Sequence, residues 1–164
     1  MNRRIKLLIV TIVTALTFSG QVLAQNAAPA AKPVQTEQQT VYTLVNGLDV
    51  VAAPSKYLNK NITIKGKFDK FSTLGLDYAP AMRSSENYIT FLIQRDDVKD
   101  HNIPLSEMKI FLKRAEAEKH IDLNAGDVIE FSGKVFSNAL GDVWMDAEKF
   151  TVVSTQKPKE EVKQ

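Results

Sequence analysis

Two stretches of the chain share one alternation of apolar and polar residues. Ile62–Phe68 and Ile129–Val135 agree in their apolar, glycine and lysine positions. Alternation with a period of two is typical of a strand that is buried on one face. Gly133 falls on the apolar face of the second stretch, where the missing side chain allows a sharp bend or a bulge. Two strongly curved strands of this kind predict a small barrel that is closed or nearly closed.

The rest of the pattern predicts three further strands, a helix and an N-terminal helical segment. The five predicted strands are residues 62–71, 88–95, 109–112, 128–137 and 143–153. Good helix formers over Arg114–His120 predict a short helix between the third and fourth strands, and a helical turn over Pro54–Asn59 would plug one open end of the barrel. The apolar residues between Glu107 and His120 also fit helical spacing, so a single helix there is the alternative.

The order of these elements resembles that of the OB-fold, with curvature in the first and fourth strands. Two strands of the form Ile-x-(Ile/Phe)-x-Gly-Lys-(Phe/Val), and the Leu-x-x-Gly-Asp-x-Ile approach to the second, carry a resemblance that covers about residues 58–153. The chain is similar to small OB domains of the tRNA-anticodon type that occur in exported bacterial proteins. The resemblance implies a mainly β fold with a five-stranded OB-like barrel, and it is architectural, carrying no chemistry.

The first 24 residues have the pattern of a signal peptide. Arg3, Arg4 and Lys6 precede an apolar run over residues 5–18, and a cleavage site of small or modest residues ends at Ala24. A retained membrane anchor is the alternative, but a spanning helix needs about 20 apolar residues, and this run is shorter and contains threonines. We therefore expect export, to the periplasm or the extracellular space, with no membrane span in the mature chain.

The two ends of the mature chain have too few apolar residues to fold. Residues 25–40 are rich in Ala, Gln and Pro, which predicts a disordered linker. Residues 156–164 are charged and contain a proline, which predicts a disordered tail. The OB-like barrel domain is therefore expected over residues 41–155.

Charge and cysteine content narrow the possible partners. The chain has 21 basic and 19 acidic residues; the predicted signal peptide removes three basic residues and no acidic one, which leaves 18 against 19. A nearly neutral mature protein has no overall electrostatic attraction for nucleic acid or anionic membranes. The absence of cysteine excludes both a disulfide scaffold and a lipidated cysteine.

Few residues suit catalysis or metal binding. Asp142 and Asp146 flank Trp144, and paired carboxylates beside an aromatic ring occur in glycosidases, so a small hydrolase is one alternative. The acidic segment 96–101 lacks the glycine and the distal glutamate of a calcium loop. We expect no catalytic residues, no metal and no cofactor.

Binding is the function that the resemblance implies. OB-folds bind ligands on the face of their second and third strands, between two loops. Carried onto this chain, the candidate face draws on three strands and the long loop 72–87, and consists of Lys65, Lys67, Tyr78, Arg83, Tyr88, Thr90, Gln94, Lys109 and Phe111. Aromatic rings among lysines suit stacking on bases or sugars, or packing against a protein. Alternatively, Phe111 is a core residue under the helix, Tyr78 caps its own loop, and the lysines are surface charges that prevent aggregation.

Export favours one class of ligand over another. We expect a non-catalytic binding module that recognises a protein or a component of the cell envelope. Binding of single-stranded nucleic acid or an oligosaccharide through the same face is the alternative. The prediction of nucleic-acid binding depends on fold analogy and on the basic residues Lys65, Lys67, Arg95, Lys109 and Lys113.

Signal cleavage is directly testable. The protein recovered after expression in a bacterial host should begin at Gln25, as read by intact mass and N-terminal sequencing. Ala24→Phe should leave the precursor uncleaved, because signal peptidase requires a small residue there. A recovered chain that keeps residues 1–24 would instead indicate the membrane anchor.

Overall fold

The computed structural model describes residues 40–156. The predicted signal peptide, all but the last residue of the predicted linker, and all but the first residue of the predicted tail lie outside this range. None of the helices formed within residues 40–156 has the length and apolar content that crossing a bilayer requires.

The described residues form six strands and three short helices. The strands are β1 (Thr43–Val45), β2 (Asn61–Ser72), β3 (Tyr88–Ile93), β4 (Met108–Lys113), β5 (Val128–Ser137) and β6 (Val143–Ser154). The helices are α1 (Gly47–Ala52), α2 (Pro54–Tyr57) and α3 (Arg114–Ala117), and 3-10 turns cover Glu118–His120 and Ala139–Gly141. All five predicted strands are confirmed. The single helix over residues 107–120 is wrong, because its first half pairs as β4 with two neighbouring strands.

Five strands close into a barrel in the order β2-β3-β4-β6-β5, with β5 returning to β2. The pairing of β4 with β6 is parallel, and the other pairings within the barrel are antiparallel. Closure depends on β2, whose first half pairs with β5 and whose second half pairs with β3 after a register shift between Phe68 and Lys70. With α3 between the third and fourth barrel strands, this is the predicted mainly β, OB-type barrel.

The segment before β2 differs in part from the prediction. The helical turn predicted over Pro54–Asn59 is present as α2, but β1 and α1 precede it and were not predicted. β1 adds a parallel strand to the first half of β2, and α1 buries Val50 completely. An isolated helix of six residues is unstable in water, so contact with the barrel stabilises α1, and the Asn46 side chain caps its N-terminus by accepting from Leu48 N at 2.8 Å.

The barrel interior is apolar and contains three packed phenylalanine rings. The Phe91 ring meets the rings of Phe131 and Phe150 edge to face, with centroids 5.0 and 5.2 Å apart. Edge-to-face packing is a favourable arrangement of aromatic quadrupoles. These residues come from β3, β5 and β6, so their contact ties opposite sides of the barrel together.

The two glycines of the repeated motif have different roles. A Cβ atom on Gly133 would overlap the carbonyl oxygen of Asp146 on β6 and lie 2.8 Å from the carbonyl carbon. The register between β5 and β6 shifts at this point, between Ser132 and Gly133, as expected for a bulge. A Cβ on Gly66 would instead lie 3.4 Å from the tip of the Ile93 side chain, an ordinary contact.

This difference predicts unequal effects of the same substitution. Gly133→Ala should reduce the free energy of unfolding by about 3 kcal/mol or more, because a backbone strand must move. Gly66→Ala is the matched control and should change it by less than about 1 kcal/mol. Urea unfolding of both variants measures the difference, and equal losses would contradict the close approach of β6 to Gly133.

Candidate ligand-binding face

The outward sides of β3, β4 and β6 form one surface, called here the outer face. Thr90 on β3 lies directly opposite Phe111 on β4. Parallel pairing places Trp144 of β6 in register with Lys109, and Asp146 in register with Phe111. The outer face therefore joins residues predicted for the ligand site to two β6 residues that were not included in it.

The loop between β2 and β3 covers the centre of the outer face. The Tyr78 ring stacks on the indole of Trp144 with centroids 5.1 Å apart, and the Phe111 ring lies on the same indole at 5.9 Å. Gly75 has a φ of +83°, and a Cβ there would lie 3.0 Å from the indole. The Trp144 Nε1–H donates to the carbonyl oxygen of Ala139 at 2.8 Å. Trp144 is thus 2% exposed and Phe111 is fully buried.

Three predicted ligand contacts are buried. Thr90 is fully buried, and its hydroxyl donates to the carbonyl oxygen of Ser72 at 2.8 Å. Gln94 is 6% exposed, pairs with Pro104 in an isolated bridge, and its Nε2 has no hydrogen-bond partner among the described residues. Together with Phe111, these side chains come from strands of the predicted face but are not open to a ligand.

Arg83 holds the loop to β6. Its Nε donates to Asp146 Oδ1 at 2.7 Å, and its Nη2 donates to Asp146 Oδ2. Its guanidinium also lies 4.1 Å from the centroid of the Phe136 ring. Two-pronged pairing of arginine with a carboxylate is a strong and directional contact, and it raises the pKa of Arg83 above its ordinary value. A predicted ligand-binding residue therefore fastens the loop to the barrel.

The other predicted cations do not form a single basic patch. Lys109 Nζ donates to Asp142 Oδ2 at 2.8 Å. Lys65 and Lys67 are exposed, but they lie in the half of β2 that pairs with β5, and Lys65 is directly opposite Glu130. These two lysines are therefore separated from the outer face by strand topology.

Arg95 is also paired with acidic side chains. Its guanidinium contacts Glu107 at 2.7 Å and Asp97 at 3.0 Å, and its hydrogen bonds lower the pKa of the Asp97 carboxyl. Of the five basic residues considered for nucleic acid, Arg95 and Lys109 thus have carboxylate partners, and Lys113 lies exposed at the end of the outer face.

The two carboxylates considered for hydrolysis each have a cationic partner. Asp142 contacts Lys109, and Asp146 contacts Arg83. Within residues 40–156, no group of three or more His, Asp or Glu side chains has a geometry that suits a metal ion.

An open groove runs beside the covered face. A depression of about 350 Å³ lies between Tyr88, the end of β4 and the middle of β6. A second, of about 630 Å³, shares Tyr88 and Lys113 with it. A third, of about 120 Å³, shares Arg114 and Glu118 with the second. Neighbouring depressions share side chains and lie around α3, and the three together are called here the α3 groove.

The acidic side chains along the α3 groove outnumber the basic ones. The described carboxylates that line it are Glu86, Glu116, Glu118, Asp146 and Glu148, and the cations are Lys113 and Arg114. A hydrogen bond from Lys119 lowers the pKa of Glu116, so this carboxylate is ionised at neutral pH. Sequence reasoning found Tyr88 but missed the groove, because its walls come from β3, β4, α3 and β6 and no local pattern joins them.

The position of Trp144 allows a direct test of the covering loop. Trp144 is the only tryptophan in the chain, so its fluorescence reports on the outer face alone. Tyr78→Ala should shift its emission to longer wavelength and increase acrylamide quenching, and stability should fall by about 1–2 kcal/mol through loss of the aromatic pair and of buried area. Tyr78→Phe is the matched control and should leave both signals unchanged. Equal quenching in all three proteins would contradict the stack.

Comparisons with known proteins identify no family. No protein-family model matches the chain, and no curated protein matches it. Among solved structures, it is similar to asparaginyl-tRNA synthetase from Pyrococcus horikoshii, at 16% identity and a TM-score of 0.45, over 68% of this chain and 23% of that one. It is also similar to a mitochondrial single-stranded DNA binding protein from S. cerevisiae, at 13% identity and a TM-score of 0.41, over 60% of this chain and 98% of that one. Likenesses this weak carry no functional conclusion, and the OB-type assignment rests on strand order and barrel closure.

Proposed function

We propose that this protein is an exported, non-catalytic OB-type module that binds a protein or another component of the cell envelope through the α3 groove. The observation that carries the proposal is that the chain's own loop fills the centre of the usual OB ligand face, while the groove at its edge stays open. Concave sites with an aromatic wall and a few polar groups are typical of ligand binding. Export rests on the predicted signal peptide alone.

Electrostatics supports this partner class over nucleic acid. Nucleic-acid sites neutralise phosphates with clustered Lys and Arg side chains. Here Arg83, Arg95 and Lys109 are each paired with carboxylates, and the open groove carries more acidic than basic groups. A polyanion would meet few unpaired cations at the outer face.

The absence of catalysis is also part of the proposal. A glycosidase-type pair needs one carboxyl group as an acid and another as a nucleophile or base. Asp142 and Asp146 each contact a cation, which suits anchoring of the surrounding chain. In this interpretation, the pairing of Asp146 with Arg83 attaches the covering loop to β6.

Site-directed photo-crosslinking in the producing cell tests the proposal. Benzoylphenylalanine in place of Glu118, an exposed residue of the α3 groove, should crosslink to one defined partner. The same group in place of Lys67, exposed in the half of β2 that pairs with β5, is the matched control and should not crosslink to this partner. The added substitution Tyr88→Ala should reduce the yield at position 118 about tenfold if the ring is a central contact.

The outcomes separate the possibilities. A partner that crosslinks equally from both positions, or from position 67 alone, would contradict the groove as the binding site. A partner captured at position 118 and lost with Tyr88→Ala would support it, and the identity of the captured molecule would show whether it is a protein or another envelope component.

Single-stranded nucleic acid is the second candidate, and the stack of Tyr78, Trp144 and Phe111 is the observation that favours it. Aromatic rings on OB-folds stack nucleic acid bases, and displacement of Tyr78 would expose the indole. Fluorescence anisotropy with labelled oligothymidine measures this binding. An affinity that falls steeply with salt and increases in Tyr78→Ala would support nucleic acid, and no binding by either protein would exclude it.

A further inference from the structure

We propose that the α3 groove binds an extended segment of a partner protein that carries a Lys or Arg side chain near an apolar side chain. This inference rests on the proposed function and names the chemistry of its partner. The two ends of the groove differ in character, and each end selects one of the two side chains.

The end beside β6 has one carboxylate without a cationic partner among the described residues. Glu116, Asp146 and Glu148 line the first depression, and Lys113 is the one cation among its described lining residues. Arg83 contacts Asp146 and Lys119 contacts Glu116, so the charges of these two carboxylates are balanced. Glu148 instead accepts a hydrogen bond from the Tyr42 hydroxyl at 2.5 Å. The nearby carboxylate raises the pKa of Tyr42, so this hydroxyl is neutral and supplies no positive charge to Glu148. A cationic side chain of the partner therefore has a carboxylate to contact at this end.

The middle of the groove provides a flat wall and further negative charge. The half-buried Tyr88 ring lies between the first and second depressions. Glu86 and Glu118 are exposed along the second. Arg114 faces them, but its Nε donates to the carbonyl oxygen of Ser85 at 2.6 Å, which fixes it to the backbone. The stem of a Lys or Arg side chain can lie along such a ring while its charged end reaches a carboxylate.

The far end is apolar. Phe71, Ile89 and Ala117 line the third depression, and Ile121 at its edge is 75% exposed. Exposed large apolar side chains beside a depression mark contact sites when they are continuous with a groove. An apolar side chain of the partner would cover Ile121 here. The combination of an unpaired carboxylate, an aromatic wall and an apolar end fits a polypeptide segment that carries both kinds of side chain.

Peptide titration followed by nitrogen–proton NMR of the exported protein tests this inference. The probe is a set of unstructured ten-residue peptides with one Lys and one Leu, separated by one to four Gly or Ser residues. At least one spacing should shift the amide signals of Tyr88, Lys113 and Ile121. Replacing its Lys by Glu, or its Leu by Ser, should each weaken binding at least threefold.

Protein variants assign the two ends separately. Glu148→Gln should weaken binding of the Lys-containing peptide about threefold at low salt and leave the Lys-to-Glu peptide unaffected. Glu130→Gln, on β5 and outside the three depressions, is the matched control and should change nothing. Ile121→Ser should weaken binding of the Leu-containing peptide about threefold or more. Leu140→Ser is its control, because Leu140 is equally exposed at 77% and lies outside the groove.

Failure of this inference is distinguishable from failure of the proposed function. Suppose that a protein partner is captured at position 118 and binds equally well to Glu148→Gln and Ile121→Ser. That result would contradict the inference and still support the proposed function. Equal binding of the Lys and Glu peptides would also overturn it. Residues 157–164 contain lysines and a valine. If peptides bound only after these residues were deleted, the occupant of the groove would be the chain's own tail, and the inference of a partner protein would be wrong.

Discussion

The close approach of β6 to Gly133 is the constraint on which the rest of the structure depends. The backbone carbonyl of Asp146 occupies the space that a side chain at position 133 would need, and the bulge there bends β5 so that the barrel closes. The Asp146 side chain points to the opposite side of the strand and binds Arg83. One β6 residue thus links closure of the barrel to attachment of the loop on its outer face.

Attachment of that loop determines which surface of the barrel is open to a ligand. OB-folds commonly keep the face of their second and third strands open between two loops. In this protein, Tyr78 already stacks on Trp144, and Phe111 lies on the same indole. The aromatic surface contributes to a second small core outside the barrel, so the position of a stacked ligand is taken by the chain itself.

The distribution of charge follows from the same arrangement. Arg83, Arg95 and Lys109 contact carboxylates of neighbouring strands and loops, and Lys119 contacts Glu116. Among the described side chains along the α3 groove, this leaves Glu86, Glu118 and Glu148 without a cationic partner.

The sequence by itself determined the barrel and its elements, because alternation, turn residues and helix propensity act over a few neighbouring residues. It predicted the curved strands, the special position of Gly133 and the helix after β4. It did not predict α1, whose few helical residues depend on contact with the barrel.

Only the tertiary structure decided which predicted ligand residues are open to solvent. Arg83 and Asp146 are 63 positions apart, and Trp144 reaches Phe111 only through parallel pairing of β4 with β6. No local pattern encodes such contacts, so the covered face and the α3 groove arise only when the barrel closes.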